Sequence, residues 1–370
     1  MIQYIILITG AFVLSAVCGF LFIPLILNYC KEKKLYDIPN SRKVHKNLIP
    51  RLGGISFMPS MLVAFLLALF ILGNQAQTSK VQINLWSLYF IVSLLLIYSL
   101  GLVDDLIGLS ANIKFVIQII AASILPTAGL YINNLYGIFG IHEIPYWVGF
   151  PLTVFVIVFI DNAMNLIDGI DGLCAGLSFI ALSGFIFCFW REGLIIYCVL
   201  IAGLLGVIIP YLYFNIWGKA ENNRKIFMGD SGSLTLGFIL GFLLVKFVMD
   251  NRSVMPFCDD RMSMVLSLMV IPVFDVVRVI CYRIHHHKSI FDADKNHIHH
   301  KLMAAGLSQH KALLIILIIA LSFIGINQLI NLFSDINVMI ICDIVLFTVF
   351  NLVVNYQIKK RGKQHHEKIL

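Results

Sequence analysis

The stretch Asp161–Gly172, DNAMNLIDGIDG, sets three aspartates and two asparagines between unbroken apolar runs. A carboxylate deep in a bilayer costs about 2.5–3.5 kcal/mol on insertion scales, so a passive anchor gives no reason for them. Asp168 and Asp171 stand three apart, which is one face of a helix, or they converge in a loop if Gly169 and Gly172 break it. Glycine also lets a ligand approach the backbone, which makes Gly169 a candidate contact. Capping of the next helix is the competing reading; it suits Asp171 better than Asp168. GLVDDLIGL carries Asp104 and Asp105, adjacent carboxylates that repel unless a cation or proton lies between them. Such hard donors suit Mg²⁺ or Mn²⁺, with substrate phosphates completing the shell, whereas the bland alternative is an exposed turn.

Other stretches add to this set. FMGDSGS, residues 227–233, joins Asp230 to glycines at a helix start, a corner for phosphate and metal or simply an N-cap. Phe227 there either stacks on a base or packs. HIHH supplies His297, His299 and His300. Zinc is a possible ligand, but neither a cysteine nor H-E-x-x-H supports it; beside a diphosphate, imidazoles donate hydrogen bonds or positive charge. His285–His287 reads as a solvated run. Lys114 follows Asp105 by one short loop and either reaches the same phosphates or snorkels to the surface. Asp275 and Arg278, three apart within a span, read as a structural pair.

The elements that must position these residues are membrane helices. Of the 370 residues, 59% are hydrophobic and 13% charged, and the mean hydropathy is +0.91, a balance no soluble domain carries. Apolar runs predict an all-α polytopic protein of about eleven transmembrane helices, near 2–28, 52–73, 85–102, 113–130, 146–161, 173–190, 194–213, 231–249, 262–282, 312–331 and 338–357. Residues 1–357 form one transmembrane catalytic domain, and 358–370 a basic cytoplasmic tail. The first run has no basic segment before it and reads as a span, not a cleaved signal. With the 29–51 loop cytoplasmic, 22 of the 27 Lys and Arg fall on that side, which puts the N-terminus outside and the C-terminus inside. The net charge of +7 is therefore membrane orientation, not nucleic-acid binding. Eight scattered cysteines lack any C-x-x-C and read as small buried hydrophobes. Every chemical cluster (37–54, 104–105, 161–172, 215–230 and 285–300) lands on the cytoplasmic side, as one shared site requires. An ion-coupled transporter would hold its ionisable groups nearer the midplane. An intramembrane metalloprotease would need H-E-x-x-H.

Together these motifs resemble the polyprenyl-phosphate N-acetylhexosamine-1-phosphate transferase family, glycosyltransferase family 4. The resemblance runs from about Asp37 to Gly306, with five motifs in the family's order. It is strongest to the branch that makes undecaprenyl-diphospho-GlcNAc for teichoic acid, O-antigen and common-antigen synthesis; the peptidoglycan phospho-MurNAc-pentapeptide translocase is a more distant relative. The resemblance implies that Asp104 and Asp105 serve Mg²⁺ and the lipid phosphate, and that Asn165, Asp168 and Asp171 serve nucleotide binding and catalysis. It further implies that Asp230 is a metal ligand, that Phe227 lies beside uracil, and that Lys114 and Asn215 contact phosphate or nucleotide. His297, His299 and His300 are the branch signature, and Arg42, Lys43, His45 and Lys46 match its basic first loop. The implied partners are undecaprenyl phosphate, a UDP-N-acetylhexosamine and membrane lipids. The implied setting is the bacterial plasma membrane with the site on its cytoplasmic face, and homodimers occur in the family.

Overall fold

The computed structural model describes residues 1–37, 48–75, 85–251, 255, 258, 260–289 and 295–367. Its elements, in chain order, begin with α1 (Ile2–Lys33), β1 (Tyr36–Asp37), β2 (Ile49–Pro50) and α2 (Phe57–Gln75). Then come α3 (Leu85–Ile107), α4 (Ala111–Thr127), β3 (Asn134–Ile138), β4 (Ile141–Glu143), α5 (Tyr146–Ile167), α6 (Leu173–Arg191) and α7 (Ile195–Leu212). The chain closes with α8 (Asp230–Val248), α9 (Arg261–His285), α10 (Ile298–Ala304), α11 (Gln309–Asn331) and α12 (Ile336–Glu367). Each of the eleven expected spans corresponds to one helix. Among the described residues, ten helices are long and apolar enough to cross a membrane, and α4 adds a shorter apolar helix of 17 residues. The last helix runs on past residue 357 to Glu367.

Helix α8 is the axis of the bundle, with every residue from Ser231 to Val248 buried. Its small residues explain how the neighbours come so close. A Cβ on Gly237 would lie 2.7 Å from the Asp161 Cα of α5, and one on Gly241 would lie 3.2 Å from the Ile157 Cα. Without a hydrophobic drive between helices in lipid, such backbone approach is what packs them. Large apolar side chains such as Phe155, Leu321 and Leu352 remain exposed on the outer faces, where lipid replaces water.

Buried polar groups mark where the helices must stay in register. The Asp161 carboxylate of α5 accepts from Gln118 of α4 at 2.8 Å, and Asn162 donates to Gln118 at 3.0 Å. Asn327 of α11 donates to Asp343 of α12 at 2.9 Å. One end of the bundle is closed by ion pairs, Arg191 with Asp260 at 2.8 Å and Arg261 with Glu192 at 2.9 Å. The β3–β4 hairpin lies at the same end, with the Tyr136 hydroxyl donating to the Val248 carbonyl at the foot of α8. The acidic motifs gather at the opposite end.

Candidate active site

The first loop and the FMGD segment are joined main chain to main chain. Phe227 N donates to the Pro50 carbonyl at 2.7 Å, Gly53 N to Phe227 at 2.9 Å, and Gly54 N to Met228 at 2.8 Å. Only glycine fits here: a Cβ on Gly54 would run into the Gly232 backbone, and one on Gly229 into the Arg51 carbonyl and the Asp105 carboxylate. Gly229 also holds φ 72 and stands at the N-cap of α8 without a capping side chain. Asp105 supplies that cap from α3: its two oxygens accept from Asp230 N and Ser231 N, each at 2.9 Å. The first N–H groups of α8 are therefore occupied by a carboxylate of the chain itself.

Asp104 and Asp230 face each other across Lys114, whose Nζ lies 3.2 Å from Asp104 Oδ2 and 2.8 Å from Asp230 Oδ2. Asp104 is also anchored by Leu109 N at 2.7 Å. On the other side of Asp230, Asn165 donates to its Oδ1 at 3.1 Å and to Ser233 Oγ at 2.9 Å. Lys114, Asn165, Asp104 and Asp230 thus come from α4, α5, α3 and α8 onto one point.

Helix α5 ends at Asp168, and the D-G-I-D-G turn leads into α6. Burial, followed by the charges of Asp230, Asp171 and Asp105, pushes the Asp168 carboxyl up to about 8. Asp171 pairs with Lys225 at 2.7 Å, and Lys225 also donates to the Asn215 carbonyl at 3.0 Å. Asn215 ties the turn to the FMGD approach, accepting from Gly172 N at 2.6 Å and donating to the Ile226 carbonyl at 2.8 Å. Gly169 rests on the His299 ring, leaving no room for a side chain. Among the described residues, neither ring nitrogen of the buried His299 finds a hydrogen-bond partner, and burial together with His300 lowers its pKa to about 3, so it stays neutral. His297 stacks parallel to His299 with ring centroids 6.0 Å apart, and its Nδ1 donates to Asp275 at 2.9 Å.

These groups enclose a cavity of about 420 Å³. Asp37, Asp104, Asp105, Asp168, Asp171 and Asp230 line it, and Arg51 is the one Lys or Arg among the described lining residues. Gly169, Asn215, Phe227 and His300 also reach it, whereas His297 and His299 stand behind the wall. Lys46, with Arg42, Lys43 and His45, lies outside the described residues. Sequence reasoning missed Lys225, Ser233 and Gln309, and it gave Asp275 only Arg278 as a partner. Ser233 carried a signal, three residues after Asp230 on one helix face. Lys225 carried none, since its partner is 54 residues away.

The donor set suits a hard divalent cation. Asp104 and Asp230 offer adjacent carboxylate oxygens where Lys114 now supplies the positive charge, and among the described residues the cavity lining holds more acid than base. Asp105 already spends both oxygens on backbone N–H groups. Among the described residues, no three His, Cys, Asp or Glu side chains are gathered tightly enough to hold a metal alone.

Such a fold and site define a multi-pass membrane protein with an acidic, oxygen-lined cavity at one end of its bundle. The glycosyl transferase family 4 profile matches residues 86–248, which carry the paired aspartates, the D-G-I-D-G turn and FMGD. The probable undecaprenyl-phosphate N-acetylglucosaminyl 1-phosphate transferase of Bacillus subtilis (strain 168) is 33% identical over 319 residues, 85% of this chain and 83% of its own. The undecaprenyl-phosphate alpha-N-acetylglucosaminyl 1-phosphate transferase of Yersinia pestis is 32% identical, covering 79% of this chain and 76% of its own. Its Escherichia coli O157:H7 counterpart is 31% identical over 93% and 90%. The chain belongs to glycosyl transferase family 4 and is a multi-pass bacterial membrane protein.

Proposed function

We propose that the protein transfers N-acetylhexosamine-1-phosphate, GlcNAc-1-phosphate in the first place, from a UDP-sugar to undecaprenyl phosphate. The products are undecaprenyl-diphospho-sugar and UMP, the first membrane step of a surface polysaccharide. The observation that carries this reading is the convergence of Asp104, Asp168 and Asp230 on one cavity at a helix-bundle end, with Lys114 and Asn165 bonded to Asp230, where a soluble nucleotide and a membrane isoprenoid can meet. The names of the relatives support the acceptor and the sugar.

In the reaction, an oxygen of the lipid phosphate attacks the sugar-bearing phosphorus. A new P–O bond forms as the bond to the UMP oxygen breaks, and UMP leaves with that electron pair. Two anions must approach each other, so the work is positioning and charge neutralisation. Asp104 and Asp230 would hold Mg²⁺, with Mn²⁺ as the alternative, and substrate phosphates would complete the shell. Such a cation, when bound, neutralises the diphosphate against the carboxylates. Lys114 sits between the two metal-side aspartates, placed to meet phosphate oxygens. Asp168 takes the proton of the lipid phosphate or orients it, and Asn165 and Ser233 fix Asp230. Phe227 lines the cavity and would stack on the uracil ring. The bias of Lys and Arg supports a cytoplasmic site, which is where UDP-sugars are.

Turnover in detergent tests this. With undecaprenyl phosphate and Mg²⁺, UMP is expected from UDP-GlcNAc and not from UDP-MurNAc-pentapeptide, and EDTA abolishes it. Release from UDP-GalNAc or UDP-QuiNAc alone would reassign the sugar. No UMP from any of these donors with well-folded protein would overturn the transferase reading.

A further inference from the structure

Helix α10 carries the histidine motif, yet it has seven residues and no side-chain cap at its start. Helices far shorter than about 12–15 residues do not persist unaided, so something outside must hold this one. The holder is Asp275, fully buried (0% exposed) in the interior of α9. Its Oδ1 accepts from Ile298 N at 3.0 Å and from Arg278 Nη2 at 2.6 Å, while its Oδ2 accepts from His297 Nδ1 at 2.9 Å. Arg278 in turn donates to the Asn296 carbonyl. One ion pair on α9 therefore grips three consecutive residues at the entry of α10. Beyond that grip, Ile298 and Leu302 are buried, His299 lies against Gly169, and His300 reaches the cavity.

We propose that Asp275 is the positioning residue of the histidine segment. It sets the start of α10 so that His299 supports the D-G-I-D-G turn and His300 meets the substrate diphosphate. The role of His300 rests on the transferase reading above. Asp275 itself stays behind the wall and acts through α10. The contact between the carboxylate and His297 Nδ1 also fixes the orientation of that ring at the entry of α10.

Two measurements on the full-length protein in detergent decide the matter. The first is hydrogen–deuterium exchange over residues 296–306. Asp275→Asn is expected to raise exchange there by about tenfold or more, as loss of a charged hydrogen bond does, with α3 and α8 unchanged. The second is a double-mutant cycle on UMP release. Asp275→Asn and His300→Ala each lower kcat, and the double variant loses no more than the worse single one, because both act through one contact. A purely structural Asp275 would give losses that multiply, and that result overturns the proposal, as does unchanged exchange. If Asp275→Asn does not fold, His297→Ala removes one link and leaves the Asp275–Arg278 pair. A smaller rise in exchange confined to 296–306 is then expected, and none overturns the proposal. Absence of transferase activity in the wild-type protein would strike the reaction, while the exchange data still decide whether Asp275 holds α10.

Discussion

At the scale of residues, the site is a balance of carboxylates against few cations, and each partner has a definite consequence. Asp230 accepts from Lys114 and Asn165 and is the first residue of α8. Asp230→Asn keeps the size and the Asn165 contact but removes the charge. We expect kcat to fall by about 10²–10³, with the melting temperature little changed, measured by UMP release and thermal unfolding. His299 gives a pH prediction. Its folded pKa of about 3 lies below its ordinary value of 6.5, so between those limits the unfolded chain binds a proton that the folded chain refuses. Its contribution to stability is complete above 6.5 and is lost as pH falls toward 3. Melting curves from pH 7 to 4 should therefore fall less steeply in His299→Gln than in wild type. The residue types at Asp104, Asp168 and Asp230 were legible because a carboxylate is costly in an apolar setting. The double use of Asp105 was not, because capping a helix 125 residues away leaves no local mark.

At the scale of elements, the spans were legible from the length of their apolar runs; their starts fell within a few residues of the helices, while α5 and α12 run on by six and ten residues, to Ile167 and Glu367. What the runs could not tell is which helix forms the axis. That follows from glycines of α8 meeting the backbones of α5 and of the first loop, a pairing decided by tertiary fit. The β3–β4 hairpin also escaped notice, since a five-residue and a three-residue strand carry too little alternation to read. The end of the 37–54 cluster, Pro50–Gly54, is laddered main chain to main chain onto Phe227 and Met228. Gly54→Ala puts a Cβ into the Gly232 backbone and is expected to destabilise by about 1–3 kcal/mol and to depress activity. Gly10→Ala, with nothing within 4 Å of the added carbon, serves as the neutral comparison in the same melting series.

At the scale of the molecule, the charge bias along the sequence and the three-dimensional gathering of motifs agree on a single working end. Orientation can be read with a membrane-impermeant thiol reagent in a background free of native cysteines. Phe139→Cys in the hairpin is expected to react in intact cells, and Lys288→Cys only after permeabilisation; the reverse pattern would invert the topology. The cavity at the working end has two unlike walls. One is formed by Phe227, Met228 and Gly229, held from behind by main-chain hydrogen bonds to Gly53 and Gly54, and a Cβ cannot be added at Gly229. The other is made of side chains, His300 and Gln309 among them. An inhibitor that presses on Gly229 would meet a point where a side chain cannot be added without breaking the fold. Resistance would have to arise elsewhere in the lining, among replaceable side chains such as His300 and Gln309.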